Sequence, residues 1–348
     1  MNNIKYIPQM ESICERINNP VKLVQCTALF NEIDFTRSAV LGLYNQMDKI
    51  IVVEGSVGNR PLSTSDGHST DGTLELLEKI KKEEDPENKI VVIKLKRPWK
   101  SLEEQKSVFL DLTSPGDFLV ILDADEAYHP HDIDAVRRFL DLTPHCTEVI
   151  PVFKHYYRDW KHLAAPGPEM QPTHQRIVKR MMGDRYNSHP VITRQDGSCS
   201  YFSPWIQNTR FMLNTIFIHH AGHARSTDMD SVMRDKLSYY NSELVKHGNA
   251  HLKFKEKADI WLNKKEDPNL FLKISESSDL PECWKNHPMF NFIDPHFASL
   301  DTQMIEWDQN IFYNKYVNRE PVGTIPLCMN RISQPFMSFY DNRVYNGE

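Results

Sequence analysis

The chain of 348 residues has no run of about 18 apolar residues anywhere, so no transmembrane helix is expected. Its first residues, Met1 to Gln9, lack an apolar core of signal-peptide length. Cysteine is sparse and scattered: Cys14, Cys26, Cys146, Cys199, Cys283 and Cys328 form no Cys-x-x-Cys pair, which favours free thiols in a reducing compartment over a disulfide framework. Together these absences give the expectation of a cytoplasmic protein. A basic excess is also missing, since 41 Lys and Arg face 47 Asp and Glu for a net charge of −6. That argues against broad nucleic-acid binding, which needs a basic face, and leaves room for a small basic pocket that takes a diphosphate. No internal repeat and no low-complexity segment occurs. Neither a glycine nor a basic residue lies between Ala28 and Asp34, where nucleotidyltransferases carry a Gly-rich basic loop.

What the first third does contain is alternation. Val21–Leu29, Lys49–Val53, Lys89–Leu95 and Phe118–Leu122 are short, nearly continuous apolar runs rich in β-branched residues, the pattern of strands buried on both faces. Helical spacing lies between them. Phe35, Ala39, Leu43 and Met47 share one face, a second helix opens at Asp71, and a third covers Leu102–Leu112. Strand–helix alternation predicts right-handed crossovers and an α/β fold with a mainly parallel, Rossmann-like sheet. Such sheets bind ligands at the carboxyl ends of their strands. Beyond residue 150 the pattern loosens. Short strands are expected at Ile150–Phe153, Arg176–Lys179 and Thr215–His219, and a helix at Asp230–Lys246. The expected organisation is an N-terminal segment (1–20), one α/β domain (21–245) and a C-terminal extension packed on it (246–348).

The fourth apolar run ends in Val120-Ile121-Leu122-Asp123-Ala124-Asp125-Glu126. Two Asp separated by one residue at a strand end can turn toward a single hard cation, Mn²⁺ or Mg²⁺, whose other ligands come from phosphate and water. The alternative is a solvated acidic turn. The strand before the pair is too apolar to be a surface strand, which favours the metal. Other strand ends carry Val53-Glu54-Gly55-Ser56 and, further on, Ser69-Thr70-Asp71-Gly72-Thr73. Loops of this composition before a helix either offer backbone N–H and hydroxyl groups to a nucleotide or simply cap the helix.

Taken in order, Thr27-Ala28-Leu29-Phe30-Asn31-Glu32, Val53-Glu54-Gly55-Ser56, Ser69-Thr70-Asp71-Gly72-Thr73 and Asp123-Ala124-Asp125 resemble the successive motifs of family 2 glycosyltransferases. The resemblance spans roughly residues 21 to 245. It implies a GT-A-type fold and transfer of a sugar from a nucleotide-diphosphate sugar, a UDP-sugar favoured, to an acceptor hydroxyl of a glycan or other molecule. Phe30, Glu32, Glu54, Asp71 and Asp123 would line the donor site, with Asp123 and Asp125 on the metal. Two departures stand out. Glu54 takes a place where the family commonly has Asp, and an insertion containing Pro61 and His68 separates it from Asp71. A nucleotidyltransferase and a non-catalytic carbohydrate-binding protein on the same fold are the rival readings.

Later in the chain, Phe217-Ile218-His219-His220-Ala221-Gly222-His223-Ala224-Arg225 follows an apolar stretch. Any one of these histidines could be a plain hydrogen-bonded side chain, or an imidazole ligand to a metal already held by carboxylates. The His-x-Gly-x-x-Arg pattern resembles a segment of a family 2 subgroup. On that resemblance His220 completes the metal site, with His223 as the reserve ligand. Arg225 and Lys236 face the donor's diphosphate, while Arg176 and His189 sit where the subgroup places pocket residues, or serve surface or packing roles. Inversion at the anomeric carbon would need a carboxylate base. Asp159, Glu169, Asp184 and Asp196 are the candidates, and no pattern separates them.

Overall fold

The computed structural model describes residues 20–60, 62–165, 175–188, 191–195, 210–226, 228–234, 259–264, 266–267, 271–274, 280–308 and 329–331. The chain forms two compact units, neither continuous in sequence: residues 1–153, 173–218 and 324–348, and residues 154–172 and 219–323. Two of the four boundaries between them, after residues 153 and 218, fall inside strands.

The first unit begins with the expected alternation. Strand β1 (Leu23–Leu29) is followed by helix α1 (Ile33–Leu41), β2 (Lys49–Glu54), α2 (Thr73–Glu83), β3 (Ile90–Lys94), α3 (Leu102–Asp111) and β4 (Phe118–Ile121). The first four strands lie in the order β4-β1-β2-β3, all parallel, with Leu29 beside Glu54 and Cys26 beside Ile121. Ile50, Ile51, Val52 and Val53 are all fully buried, as a continuous apolar run demands when helices cover both faces. One core cluster joins Val24, Ile51, Val53, Phe109, Leu119 and Ile121, and each such side chain contributes roughly 1.5–3 kcal/mol by leaving water.

The chain then runs through β5 (Glu126–Ala127), α4 (Pro130–Leu142), the first part of β6 (Glu148–Tyr157), and, after the second unit's hairpin, β8 (Ile177–Lys179), β9 (Arg185–Ser188), β10 (Val191–Thr193) and the first part of β11 (Arg210–His223). Strand β8 lies antiparallel against β4 and against β6. The hairpin's own strand, β7 (Asp159–Ala164), belongs to the second unit. Among the described residues no helix is long and apolar enough to cross a membrane.

Several boundaries differ from the sequence reading. The helix expected from the shared face of Phe35, Ala39, Leu43 and Met47 stops at Leu41 and is followed by a single 3₁₀ turn, Tyr44–Gln46. The next helix begins at Thr73 rather than Asp71, because Gly72 sits in the left-handed region at φ +95°. Asp71 stays outside and caps: its carboxylate accepts from Thr73 N–H (2.9 Å) at the start of α2 and from Ile33 N–H (2.9 Å) at the start of α1. Helix α4 has no counterpart in the sequence reading. Pro130 at its first position presets φ, and Ile133, Val136 and Leu140 form its buried face. Of the helix expected over Asp230–Lys246, residues 229–234 are helical and the remainder lies outside the described residues.

In the second unit, β7 pairs antiparallel with the end of β6 and with β12 (Phe271–Lys273), which runs parallel to β13 (Ile305–Glu306). The short helix α5 (Pro295–Leu300) brings Phe297 against Phe271 and Ala164. The turn between β6 and β7 is Arg158, at φ +64°, and its buried guanidinium binds Glu266 (2.5 and 2.8 Å) and the Trp261 carbonyl (2.6 Å).

His162 ties the same unit together. Its Nδ1 lies 2.6 Å from Asp159 Oδ1 and its Nε2 lies 2.6 Å from Asp301 Oδ1. Burial opposes the charged ring, but the two carboxylates more than offset it, so the His162 pKa is raised. A raised folded-state pKa contributes stability below the unfolded value of about 6.5 and loses it as pH rises through the folded value. Melting curves from pH 6 to 9 are therefore expected to fall more steeply for the parent than for His162→Gln. Parallel pH dependence in the two proteins would contradict the protonated clamp.

Candidate active site at the carboxyl ends of the parallel strands

The ends of β2, β1 and β4 are adjacent and point the same way, so their loops meet on one edge of the first unit. Asn31, at φ +53°, turns the chain after β1, a conformation Asn tolerates better than most residues. Its N–H donates to Ser69 Oγ (2.9 Å), its side-chain amide donates to the Leu62 carbonyl (2.7 Å), and its Oδ1 accepts from Thr70 N–H (2.9 Å). Glu32 N–H donates to Thr73 Oγ1 (2.8 Å), and Phe30 lies under the Arg60 guanidinium, 5.3 Å from the ring centre.

Glu54 ends β2 fully buried. One carboxylate oxygen accepts from Ser69 N–H (2.8 Å) and the other lies 2.7 Å from His68 Nδ1. The insertion noted in the sequence therefore folds back and uses Glu54 as its anchor. Gly67 makes the close approach possible. Its carbonyl accepts from Ser56 N–H (2.8 Å), its φ is +83°, and a Cβ there would stand 2.6 Å from the backbone of Pro98. Gly67→Ala thus combines a left-handed conformation with a clash against main chain, and is expected to destabilise the protein by about 1–3 kcal/mol. Denaturant titration of this variant checks it; a midpoint unchanged from the parent would contradict the packing.

The acidic turn after β4 holds a second network. Arg176 lies at the entry to β8, directly across from β4. It donates to Glu126 (2.5 and 2.8 Å) and to Asp123 Oδ2 (3.0 Å). Lys106, on α3, puts its ammonium 3.5 Å from Asp123 Oδ1. Glu126 also accepts from Asp123 N–H (3.1 Å), which closes the turn on itself. Burial works against the Arg176 charge, but Glu126 and Asp123 more than offset it and raise its pKa; burial lowers that of Lys106. The Asp123 carboxylate is 29% exposed and the Asp125 residue 9%.

The structure therefore brings Phe30, Glu32, Glu54, Asp71, Asp123, Asp125 and Arg176 to one unit. Within it, Glu54 and Asp71 hold loop and helix ends, and Arg176 holds carboxylates. Lys106 has no signal in the sequence, where Glu103-Glu104-Gln105-Lys106 reads as a solvated helix face. Glu126 stands in plain view as the third acid, and only the fold shows that it binds Arg176.

His220, His223 and Arg225 belong to the second unit. His220 Nδ1 lies 2.7 Å from His155 Nδ1, the rings meeting edge to face. A Cβ on Gly222 would stand 2.6 Å from His220 Nε2 and Cε1, so only glycine leaves the ring this place. His219 is buried, with Nδ1 2.6 Å from Tyr156 Oη. His223 packs against Tyr157. Arg225 is half-buried, and burial lowers its pKa to about 10. Asp159 is sealed from solvent and accepts from Lys161 N–H (2.8 Å) and Asp294 N–H (2.8 Å) besides facing His162. In the first unit Asp184 is buried against Arg194 (2.6 Å). Glu169, Asp196, Lys236 and His189 lie outside the described residues.

The family model described as "Glycosyl transferase family 2" matches residues 26–207, just over half of the chain. The chain belongs to glycosyl transferase family 2. Its α/β architecture, with a largely parallel central sheet, is the GT-A type that the motif order implies. The family match also favours a transferase over the nucleotidyltransferase and non-catalytic readings.

Among solved structures the chain is similar to S. aureus TarS residues 1–349, with 11% identity over 70% of this chain and 71% of that one and a TM-score of 0.32. It is similar to Mycobacterium tuberculosis glucosyl-3-phosphoglycerate synthase, solved with Mn²⁺, UDP and glucosyl-3-phosphoglycerate, with 19% identity over 45% of this chain and 50% of that one and a TM-score of 0.27. It is similar to GalNAc-T7, solved with UDP, GalNAc and Mn²⁺, with 10% identity over 86% of this chain and 57% of that one and a TM-score of 0.34. The chain thus spans about half the length of the last two. No curated protein matches it. The family assignment rests on the sequence match.

Proposed function

We propose that this family 2 glycosyltransferase transfers a sugar from a UDP-sugar to an acceptor hydroxyl, with inversion and with a divalent cation held by Asp123 and Asp125. The observation that carries the reading is the acidic turn at the carboxyl end of β4, beside the ends of β1 and β2, where parallel sheets receive ligands. The donor set fits Mn²⁺ or Mg²⁺: hard carboxylate oxygens, few in number, with phosphate oxygens and water to complete the shell. Among the described residues no three His, Cys, Asp or Glu side chains gather closely enough to hold an ion by themselves. When bound, the cation would neutralise charge building on the departing diphosphate.

This chain's residues have separate parts in the proposal. Arg176 and Lys106 fix the Asp123 carboxylate, so that the turn is shaped before the donor arrives. The subgroup resemblance implies a ligand role for His220 and diphosphate contacts for Arg225 or Lys236, and substitution of each tests these roles separately from that of Asp123 and Asp125. The acceptor's base is sought away from Asp159 and Asp184, whose carboxylates are buried and engaged, which leaves Glu169 and Asp196 as the positions to substitute. The described cysteines Cys26, Cys146 and Cys283 are free, which supports placing the protein in the cytoplasm.

A thermal-shift screen tests the reading, because a ligand that binds only the folded state raises the apparent melting temperature. UDP with Mn²⁺ should raise it, and either alone should raise it less. No shift with any nucleoside diphosphate, with or without metal, would contradict the proposal.

A further inference from the structure

The inserted loop after β2 carries a histidine that one buried carboxylate holds by a single nitrogen. His68 Nδ1 lies 2.7 Å from Glu54 Oε2, and the other oxygen, Oε1, accepts from Ser69 N–H (2.8 Å). A carboxylate can only accept, so Nδ1 carries the proton of the shared bond and the neutral ring keeps a lone pair on Nε2. Among the described residues Nε2 makes no hydrogen bond, and the side chain is 19% exposed. The loop is fastened on either side of the ring. His68 N–H donates to Thr64 Oγ1 (3.0 Å), and Ser69 Oγ accepts from Asn31 N–H (2.9 Å) at the tip of β1. His68 is therefore an acceptor whose tautomer and orientation are set before any ligand arrives.

Its place in the sheet points to the ligand. Strand β2 stands beside β1, and β1 beside β4, whose turn carries Asp123 and Asp125. Two strand spacings are roughly 9–10 Å. A nucleoside diphosphate that lies across the carboxyl edge, with its phosphates at the β4 turn, brings its nucleoside to the end of β2. We propose that His68 is a specificity-determining residue: its Nε2 accepts a hydrogen bond from a donor group of the nucleoside, the ring N–H of the pyrimidine or a ribose hydroxyl. Glu54 is then a positioning residue that sets the tautomer. The proposal rests on the reading of this edge as a nucleotide-sugar site, and the experiment separates the two.

Binding is measured by titration calorimetry on the full chain with Mn²⁺ present. The ligands are UDP, 3-methyl-UDP, which lacks the ring N–H, and 2′-deoxy- and 3′-deoxy-UDP. The parent should bind one of these analogues on the order of 10-fold more weakly than UDP, as expected when a built acceptor loses its donor. Which analogue it is tells base from ribose. His68→Ala should bind UDP more weakly by a similar factor and should no longer distinguish UDP from that analogue. In the nucleotide-free parent, ¹⁵N shifts should show the His68 proton on Nδ1 alone. In Glu54→Gln, Ser69 N–H holds the amide oxygen and the amide NH₂ faces His68, so the proton should move to Nε2 and the discrimination should be lost. If the parent binds UDP and every analogue equally, or if His68→Ala discriminates as the parent does, the role of His68 is overturned while the nucleotide site stands. A His68 proton on Nε2 in the parent, alone or with one on Nδ1, overturns it even where a variant is too unstable to assay. A parent that binds no UDP with Mn²⁺ removes the nucleotide-sugar reading and the proposal with it.

Discussion

Asp125→Asn is expected to abolish Mn²⁺-dependent nucleotide binding and to lower turnover on the order of 10²–10³-fold, with the fold retained. Asn keeps the shape of the side chain and removes the charge a hard cation requires. Asp125 is nearly buried, at 9% exposure, so the larger Asp125→Ala change could disturb packing as well, and the isosteric variant isolates the electrostatic part. The loss should appear in nucleotide affinity only when Mn²⁺ is present. Binding of UDP without metal should match the parent, because in the proposed site this carboxylate meets the nucleotide only through the cation. Titration calorimetry with and without Mn²⁺ checks both halves. An Asp125→Asn protein that binds UDP–Mn²⁺ like the parent would remove Asp125 from the site.

Arg176→Ala is expected to cost stability more than any other single change at the acidic turn. The guanidinium gives two hydrogen bonds to Glu126, which is almost wholly buried, and one to Asp123. Removing one member of a buried ion network typically costs about 3–5 kcal/mol, because the opposite charge stays out of water without that partner. For a protein of this size the shift is on the order of 10 °C in melting temperature. Arg176→Lys should recover little, since a single ammonium cannot span Glu126 and Asp123 as the planar fork does. The double variant Arg176→Met with Glu126→Gln should be markedly less destabilised than Arg176→Ala, because it removes the charge together with its partner. Melting temperatures of the three proteins decide it; an Arg176→Ala protein as stable as the parent would show that the network holds nothing.

The parallel half of the sheet was legible because buried strands leave an unbroken apolar signature, and Ile50 to Val53 or Phe118 to Ile121 have no other use. The acidic turn was legible for the same reason: Asp123 and Asp125 interrupt a run too apolar to lie at the surface. What the sequence could not give is which group faces which. Arg176 follows Gln175 with no local sign that Glu126 lies across from it, fifty positions earlier, because β8 reaches β4 only through the antiparallel register Val120–Ile177. Asp71 reads equally well as a helix cap or a nucleotide contact, and its carboxylate does cap two helices. Glu54 reads as an acid at a strand end; its burial depends on the return of the 56–69 loop, a feature of chain path rather than of composition. Helix α4 escaped because His129-Pro130-His131 looks like a turn, although proline at a first helical position is favourable. His155 escaped because one histidine in an apolar strand gives no hint of a partner on β11.

The measurement that tests the central claim most directly is the release of nucleoside diphosphate from a panel of nucleotide-sugars, followed by mass spectrometry with Mn²⁺ and then with the metal chelated. A UDP-sugar that yields UDP only with Mn²⁺, slowly by hydrolysis and faster with a hydroxyl acceptor, is the expected result. Metal-independent release, or no release from any donor while the folded protein binds UDP, would contradict it.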